Sequence, residues 1–233
     1  MTEIDEIKRI PLDAVTKMKQ INTGHHLSDV IKGLIENSID AHCTQILIFL
    51  ENDGLSSIKV IDDGVGIPKS SLPNVCRFHY TSKIRDITKT EIVHGKSFGF
   101  MGSFLANLSC VSTVKISSKF HKEEKSNLAI YEYNLMTKIS DSFEIDNGTC
   151  VEIINYLSNF PEQRIKIRKN AKEINKMIDT IAKYAIVYSW IKFEVISNDR
   201  PDLPLLKTPG NSDLFSNLIS MHKLQEPLKS FFV

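Results

Sequence analysis

LSDVIKGLIENSIDA at residues 27–41, TQILIFL at 44–50 and SIKVIDDGVGI at 57–67 make up the stretch that decides the fold. In the first segment Leu27, Val30, Ile31, Leu34 and Ile35 recur at spacings of three and four, the mark of an amphipathic helix about four turns long. Thr44 to Leu50 is β-branched and aromatic, as suits a buried strand. Asn52-Asp53-Gly54 then turns the chain into a second strand, Ser57 to Ile61, and Asp62-Asp63-Gly64-Val65-Gly66 ends that strand in flexible backbone.

Outward from this core, residues 68–94 read as short helices and loops, and Gly95 to Gly102 as a glycine-bearing loop from which Ser103 to Leu108 opens a helix. Val111 to Ser117, Leu128 to Leu135 and Thr149 to Ile154 alternate like strands. A long helix follows from about Lys169 to Tyr184, then a strand at Ile191 to Ile196. Pro201, Pro204, Pro209 and Gly210 punctuate a linker, and the segment from about Ser212 suits a short helix. The predicted class is α+β, with a mixed, mostly antiparallel sheet and helices packed on one face.

The 233 residues suffice for one sizeable core or two modest lobes, and 42% hydrophobic with 24% charged residues is ordinary for a globular chain. No apolar run approaches the roughly 18 residues of a membrane span, and MTEIDEIKRI alternates charge with isoleucine, unlike a secretory signal. Lys and Arg (29) balance Asp and Glu (28), so no global field attracts polyanions. Cys43, Cys76, Cys110 and Cys150 form no paired metal-binding spacing, which argues against structural zinc and a disulfide framework and fits a reducing, intracellular setting.

In helical projection Gly33, Glu36, Asn37 and Asp40 share one stripe, opposite the apolar one. Taken alone, such a face is usually just a solvated surface. A strand ending in Asp-x-Gly-x-Gly sets a carboxylate beside bare backbone, where a flat ligand can approach and an exocyclic amine such as that of adenine can donate to it. The same letters also suit a plain or calcium-like turn.

The order of the pieces is more specific than any one of them. IENSIDA (35–41), DDGVGI (62–67), HYTSKI (79–84), FGFMG (98–102) and NGTCVEI (147–153) follow one another in a series that resembles the N-terminal ATPase region of the MutL family of mismatch-repair proteins, within the GHKL superfamily. HYTSKI and DGVGIPKSSL are most similar to eukaryotic PMS and MLH paralogues, which suggests a divergent eukaryotic PMS-like member. The resemblance implies a Bergerat-type ATP site at residues 1–200, with 201–233 as linker and start of a truncated second lobe. It implies that Asn37 holds the magnesium bridging the phosphates, as suits an oxygen-ligated ion that leans on its nucleotide. It assigns Asp62 to the adenine amino group, Gly64 and Gly66 to making room for the base, and Thr149 to supporting it. Lys83 would lie near the nucleotide. Residues 95–105 would form the lid, with Gly99, Gly102, Ser103, Phe104 and Leu105 cradling phosphate through backbone N–H groups.

Four departures qualify what carries over. The family glutamate that activates the attacking water stands four residues before the asparagine, and here that position is Gly33. Losing a positioned base costs roughly 10²–10⁴-fold in rate; Glu36, one turn away, is the remaining carboxylate that could substitute. The lid reads GFMGSFL at 99–105 where the family has GFRGEAL, so Met101, Ser103 and the bulkier Phe104 alter it. Asp63 replaces the usual asparagine and adds a negative charge beside an anionic ligand. The chain also stops at Val233, before the second lobe of family members, and so reads as a fragment, a truncated gene or a minimal paralogue.

Two functions follow from the resemblance: a magnesium-dependent ATP switch in DNA mismatch repair with weakened hydrolysis, or a non-hydrolysing subunit working through a catalytic MLH-type heterodimer partner. Mismatch-recognition proteins as further partners, weak nonspecific DNA binding and a nuclear location come with it. Gly33 and the altered lid leave the ATPase activity itself open. Between Arg164 and Lys183 seven Lys or Arg face only Glu173 and Asp179, which suits either a DNA-contacting patch or a solvated helix face. His25 and His26 read as surface histidines and Trp190, in an apolar run, as core. Gly95-Lys96-Ser97 mimics the end of a P-loop, but Thr90 stands where that motif needs glycine.

Overall fold

The computed structural model describes residues 26–80, 102–142, 144–170, 172–210 and Asn217. The amphipathic stripe at 27–35 forms α1 (Leu27–Asp40), whose Leu27, Val30, Ile31, Leu34 and Ile35 are all buried. It is followed by the hairpin of β1 (Gln45–Glu51) and β2 (Ser57–Asp62), which pair antiparallel with Ile46 opposite Asp62. The remaining elements are α2 (Phe104–Val111), β3 (Thr113–Lys119), β4 (Ser126–Glu132), β5 (Leu135–Ser142), β6 (Gly148–Ile154), α3 (Pro161–Lys169), α4 (Glu173–Val187), β7 (Lys192–Ser197) and β8 (Leu206–Lys207).

These strands make one eight-stranded sheet in the order β5-β4-β3-β6-β2-β1-β7-β8. Every pairing is antiparallel except β1 with β7, which run parallel after the chain returns through α4. Alternation then sorts the side chains. Ile46, Ile48, Leu50, Ile58, Val60, Val114, Ile116, Phe193 and Val195 point into one core with the apolar stripe of α1 and with Met177, Ile181 and Ala185 of α4. Between them Phe49, Lys59, Ile61, Lys115, Glu152 and Glu194 are only half buried, on the face the helices leave open. The helices therefore cover one face, as the sequence predicts.

Several boundaries differ from the sequence reading. The strand expected from Val111 starts at Thr113, because Val111 still closes α2. The long helix expected from about Lys169 to Tyr184 is α4, which starts at Glu173, and α3, with Pro161 in its first turn, is a separate helix before it that the sequence reading does not include. β5 was not expected. It is an edge strand with only Ser142 buried, and its hairpin turns through Tyr133 and Asn134, both at positive φ (51° and 66°), without a glycine signal. Within the predicted linker Leu206 and Thr208 are buried, and Thr208 exchanges backbone and hydroxyl hydrogen bonds with Phe193 of β7. Trp190, predicted in the core, is 52% exposed. It lies in the turn after α4, where Ile191 takes the buried position and the indole rests edge-on against Tyr188. No helix among the described residues is long and apolar enough to cross a membrane.

Candidate nucleotide site

β2 ends against the C-terminus of α1, and this junction builds the site. Asp62, the last residue of β2, is 6% exposed. Its Oδ2 accepts a hydrogen bond from the Ser38 hydroxyl of α1 at 2.9 Å, and its Oδ1 accepts from the Gly64 N–H at 3.0 Å. Burial pushes the Asp62 carboxyl from an ordinary 3.8 up to about 6, and the Asp63 charge pushes it the same way. The donors from Gly64, Ser38 and the Thr149 backbone only partly offset this. The side chain is thus a buried carboxylate with acceptor capacity to spare, because an ionised carboxyl offers about four acceptor positions and these three donors leave room for another.

Glycine is required at two positions in the turn that follows it. A Cβ on Gly64 would lie 2.7 Å from the Ala41 carbonyl oxygen, the same oxygen that accepts the Val65 N–H. Gly66 adopts φ +75°, and a Cβ there would reach 2.1 Å from the Lys119 carbonyl. Thr149 stands opposite Asp62 in the β2–β6 register and opposite Ser118 in the β3–β6 register. Its hydroxyl lies 2.9 Å from that of Ser118, which also accepts the Ile67 N–H at 2.8 Å. Asp62, Thr149, Gly64 and Gly66 are therefore brought together around one strand end.

Asn37 and Gly33 lie one turn apart on α1, both half buried. α2 reaches this part of α1 with its first turn, and the ring of Phe104 rests on Gly33 so closely that a Cβ on the glycine would be 2.4 Å from ring Cε2 and Cζ. The N–H groups of that first turn have no partner within their own helix. Gly102, before the Ser103 cap, adopts φ +56° and backs onto the Tyr80 carbonyl. Lys83, Gly99 and Met101 lie outside the described residues.

Two acidic residues face elsewhere. Glu36, the candidate substitute base, accepts a 2.6 Å hydrogen bond from the Tyr184 hydroxyl of α4 and has Lys32 at 4.0 Å. Asp63, expected to add charge beside the ligand, turns to the start of β1, where it accepts from the Thr44 N–H, the Gln45 N–H and the Thr44 hydroxyl. Burial pushes its carboxyl up, but these donors outweigh burial and hold it below the usual range. Of the basic run, Arg164 donates to the Leu55 carbonyl and Lys176 pairs with the buried Glu173, which also meets His26. Among the described residues no group of three His, Cys, Asp or Glu is placed to hold a metal ion. A depression of about 300 Å³ on the open face of the sheet, lined by Phe49, Glu51, Ser57, Lys59, Ile61, Glu152 and Asn198, shares no residue with this site.

Sequence reasoning missed three members. Ser38 carried a signal, a hydroxyl on the buried stripe of α1 that needs a partner. Gly148 carried one too, in Asn147-Gly148: its φ is +80°, and a Cβ would sit 2.0 Å from the Asp62 carbonyl oxygen. Ser118 carried none, since only strand register brings it to Thr149.

Comparison with known proteins agrees with this geometry. Residues 25–157 match the model of the histidine kinase-, DNA gyrase B- and HSP90-like ATPase family. A DNA mismatch repair protein MutL from Dictyoglomus thermophilum is 32% identical over 87% of the chain and 34% of its own length. DNA mismatch repair protein pms1 from Schizosaccharomyces pombe is also 32% identical, over 91% of the chain and 27% of its own length. Bacterial and eukaryotic members thus match equally well, and the chain spans about a third of the curated relatives it matches. A crystal structure of the N-terminal domain of a DNA repair protein superposes with TM-score 0.75 at 26% identity, covering 89% of the chain and 60% of that structure. The Aquifex aeolicus MutL ATPase domain complexed with ADP shares the fold, with TM-score 0.66 at 23% identity over 85% of the chain and 69% of that structure. The chain therefore belongs to the histidine kinase-, DNA gyrase B- and HSP90-like ATPase family, as an ATPase region of the MutL/PMS type.

Proposed function

We propose that this chain is the nucleotide-binding domain of a PMS-like mismatch-repair protein, a magnesium-dependent ATP switch whose hydrolysis is weak. The observation that carries the reading is Asp62: a buried carboxylate, oriented by Ser38 and Gly64 and still able to accept, is matched by an adenine amino group. Such a donor would recover part of the cost of burying the charge. Gly64 and Gly66 keep the strand end flat beside it, and Thr149 flanks it on the neighbouring strand.

The donor set fits magnesium nucleotide rather than a protein-caged metal. Asn37 offers an amide oxygen, which suits an ion whose other ligands are phosphates and water. Bound magnesium would neutralise phosphate charge. The first turn of α2, where the N–H groups of Ser103, Phe104 and Leu105 have no partner within the helix, would meet the phosphates, together with Lys83 and Gly99 of the lid. Gly33 offers no proton acceptor and Glu36 is engaged by Tyr184, so the chain supplies no positioned base from α1. This favours binding over turnover. It also suits the second reading, in which the chain works through a catalytic MLH-type partner in a heterodimer. A nuclear location, mismatch-recognition partners and weak DNA contact through the basic run of α3 and α4 belong to the same proposal.

The test is titration with a non-hydrolysable ATP analogue and Mg²⁺, comparing wild type with Asp62→Asn and Asn37→Ala. Loss of one charge-assisted hydrogen bond should weaken binding by about 10–100-fold in Asp62→Asn. Equal affinity in all three proteins would sink the reading.

A further inference from the structure

We infer that Phe104 is a plug: its ring fills the space beside Gly33 in which a general base at that position would stand, so Gly33 and Phe104 silence hydrolysis as a coupled pair. The inference rests on the proposed nucleotide-binding reading. The two residues are far apart in sequence, yet the ring packs on the bare Cα of residue 33 so closely that a Cβ there would lie 2.4 Å from it, and any side chain at residue 33 must push the ring aside. Phe104 is also packed against the hydrophobic core, so moving the ring aside gives up buried apolar surface. Glycine in the middle of a helix is otherwise unfavourable. Here its lack of a side chain is what seats the Phe104 ring against α1.

Two consequences follow. A glutamate restored at residue 33 alone meets the ring and cannot take its place beside Asn37. Removing the ring alone opens the space but leaves no base. With both changes, the glutamate carboxylate can take a proton from a water whose oxygen attacks the γ-phosphorus of ATP as the bond to the ADP oxygen breaks, giving ADP and phosphate.

Two readouts on the full chain test this. The first is thermal unfolding of Gly33→Ala in the native and Phe104→Ala backgrounds. In the native background the added methyl should lower the melting temperature. With the ring removed it should raise it by about 2–4 °C, the ordinary gain for glycine to alanine in a helix. A shift of the same sign in both backgrounds overturns the plug, whatever the nucleotide does. The second readout is steady-state ATP turnover with Mg²⁺ in Gly33→Glu, Phe104→Ala and the double variant, alongside binding of the non-hydrolysable analogue. The double variant should exceed each single one at least about tenfold and lose that gain on Asn37→Ala. Gly33→Glu alone turning over as fast as the double variant overturns the inference. So does a double variant that binds the analogue but does not exceed the single ones. Failure of every protein, wild type included, to bind the analogue removes the proposed function, and the melting comparison then still decides whether the ring and the glycine are coupled.

Discussion

Asp62 is the residue on which both stability and the proposed nucleotide binding turn. Its carboxyl sits at about 6 instead of the ordinary 3.8, so the folded state holds that proton more tightly than the unfolded chain. Above about pH 6 the ionised, buried carboxylate costs the fold on the order of 3 kcal/mol, and this cost is relieved as pH falls from about 6 to about 4. Nucleotide binding should run the other way. If adenine donates to the ionised form, affinity for the non-hydrolysable analogue should hold above about pH 6 and fall towards about tenfold per unit below it, and a flat profile from pH 5 to 8 would contradict the assignment. Ser38 is part of the same balance, because its hydroxyl stabilises the charged form. Ser38→Ala should move the midpoint of that profile upward in pH, measured by the same titration repeated across pH. Thr149 and Ser118 brace each other beside it, so that the strand neighbouring Asp62 is held by side chains as well as by its ladder.

At the scale of elements, the junctions between α1 and its neighbours determine what each face of that helix does. Gly148 opens β6 at φ +80° with its backbone pressed on the Asp62 carbonyl. Gly148→Ala should therefore destabilise by about 1–3 kcal/mol through the left-handed backbone alone, seen as a lower urea midpoint, and should weaken nucleotide binding with it. The opposite flank of α1 meets α4 through Glu36 and Tyr184. Tyr184→Phe should cost about 1–2 kcal/mol of stability and leave nucleotide affinity unchanged. A large fall in affinity would mean that Glu36 works in the site after all. α1 thus presents Gly33 to one neighbour and Glu36 to another. A helical projection groups them on one stripe, but the packing divides that stripe.

For the whole molecule, the eight-stranded sheet extends into the predicted linker. β8 covers the free edge of β7, where Leu206 is fully buried and Thr208 bonds both backbone groups of Phe193. Leu206→Ala should cost about 2–5 kcal/mol, checked by chemical denaturation. If the cost is under about 0.5 kcal/mol, the segment is a passive tail. Edge coverage of this kind also limits strand-to-strand association, which a loosened β8 would expose.

Local signals in the sequence were enough for the framework. The stripe of α1 and the Asn52–Gly54 turn between β1 and β2 were legible, as was the carboxylate at the end of β2, because periodicity and turn chemistry act over a few residues. The motif order was sufficient to bring Asn37, Asp62, Gly64, Gly66 and Thr149 to one family. Only the tertiary structure decided what each residue faces. It turned Glu36 to Tyr184 and Asp63 to the start of β1, left Trp190 at the surface, and set Ser38 and Ser118 in the hydrogen-bond network around the site. It also laid Phe104 on Gly33. Such contacts join residues distant in the chain through strand register and helix docking, which no short window of sequence encodes. Periodicity tells which face of an element is buried, and packing alone tells against what.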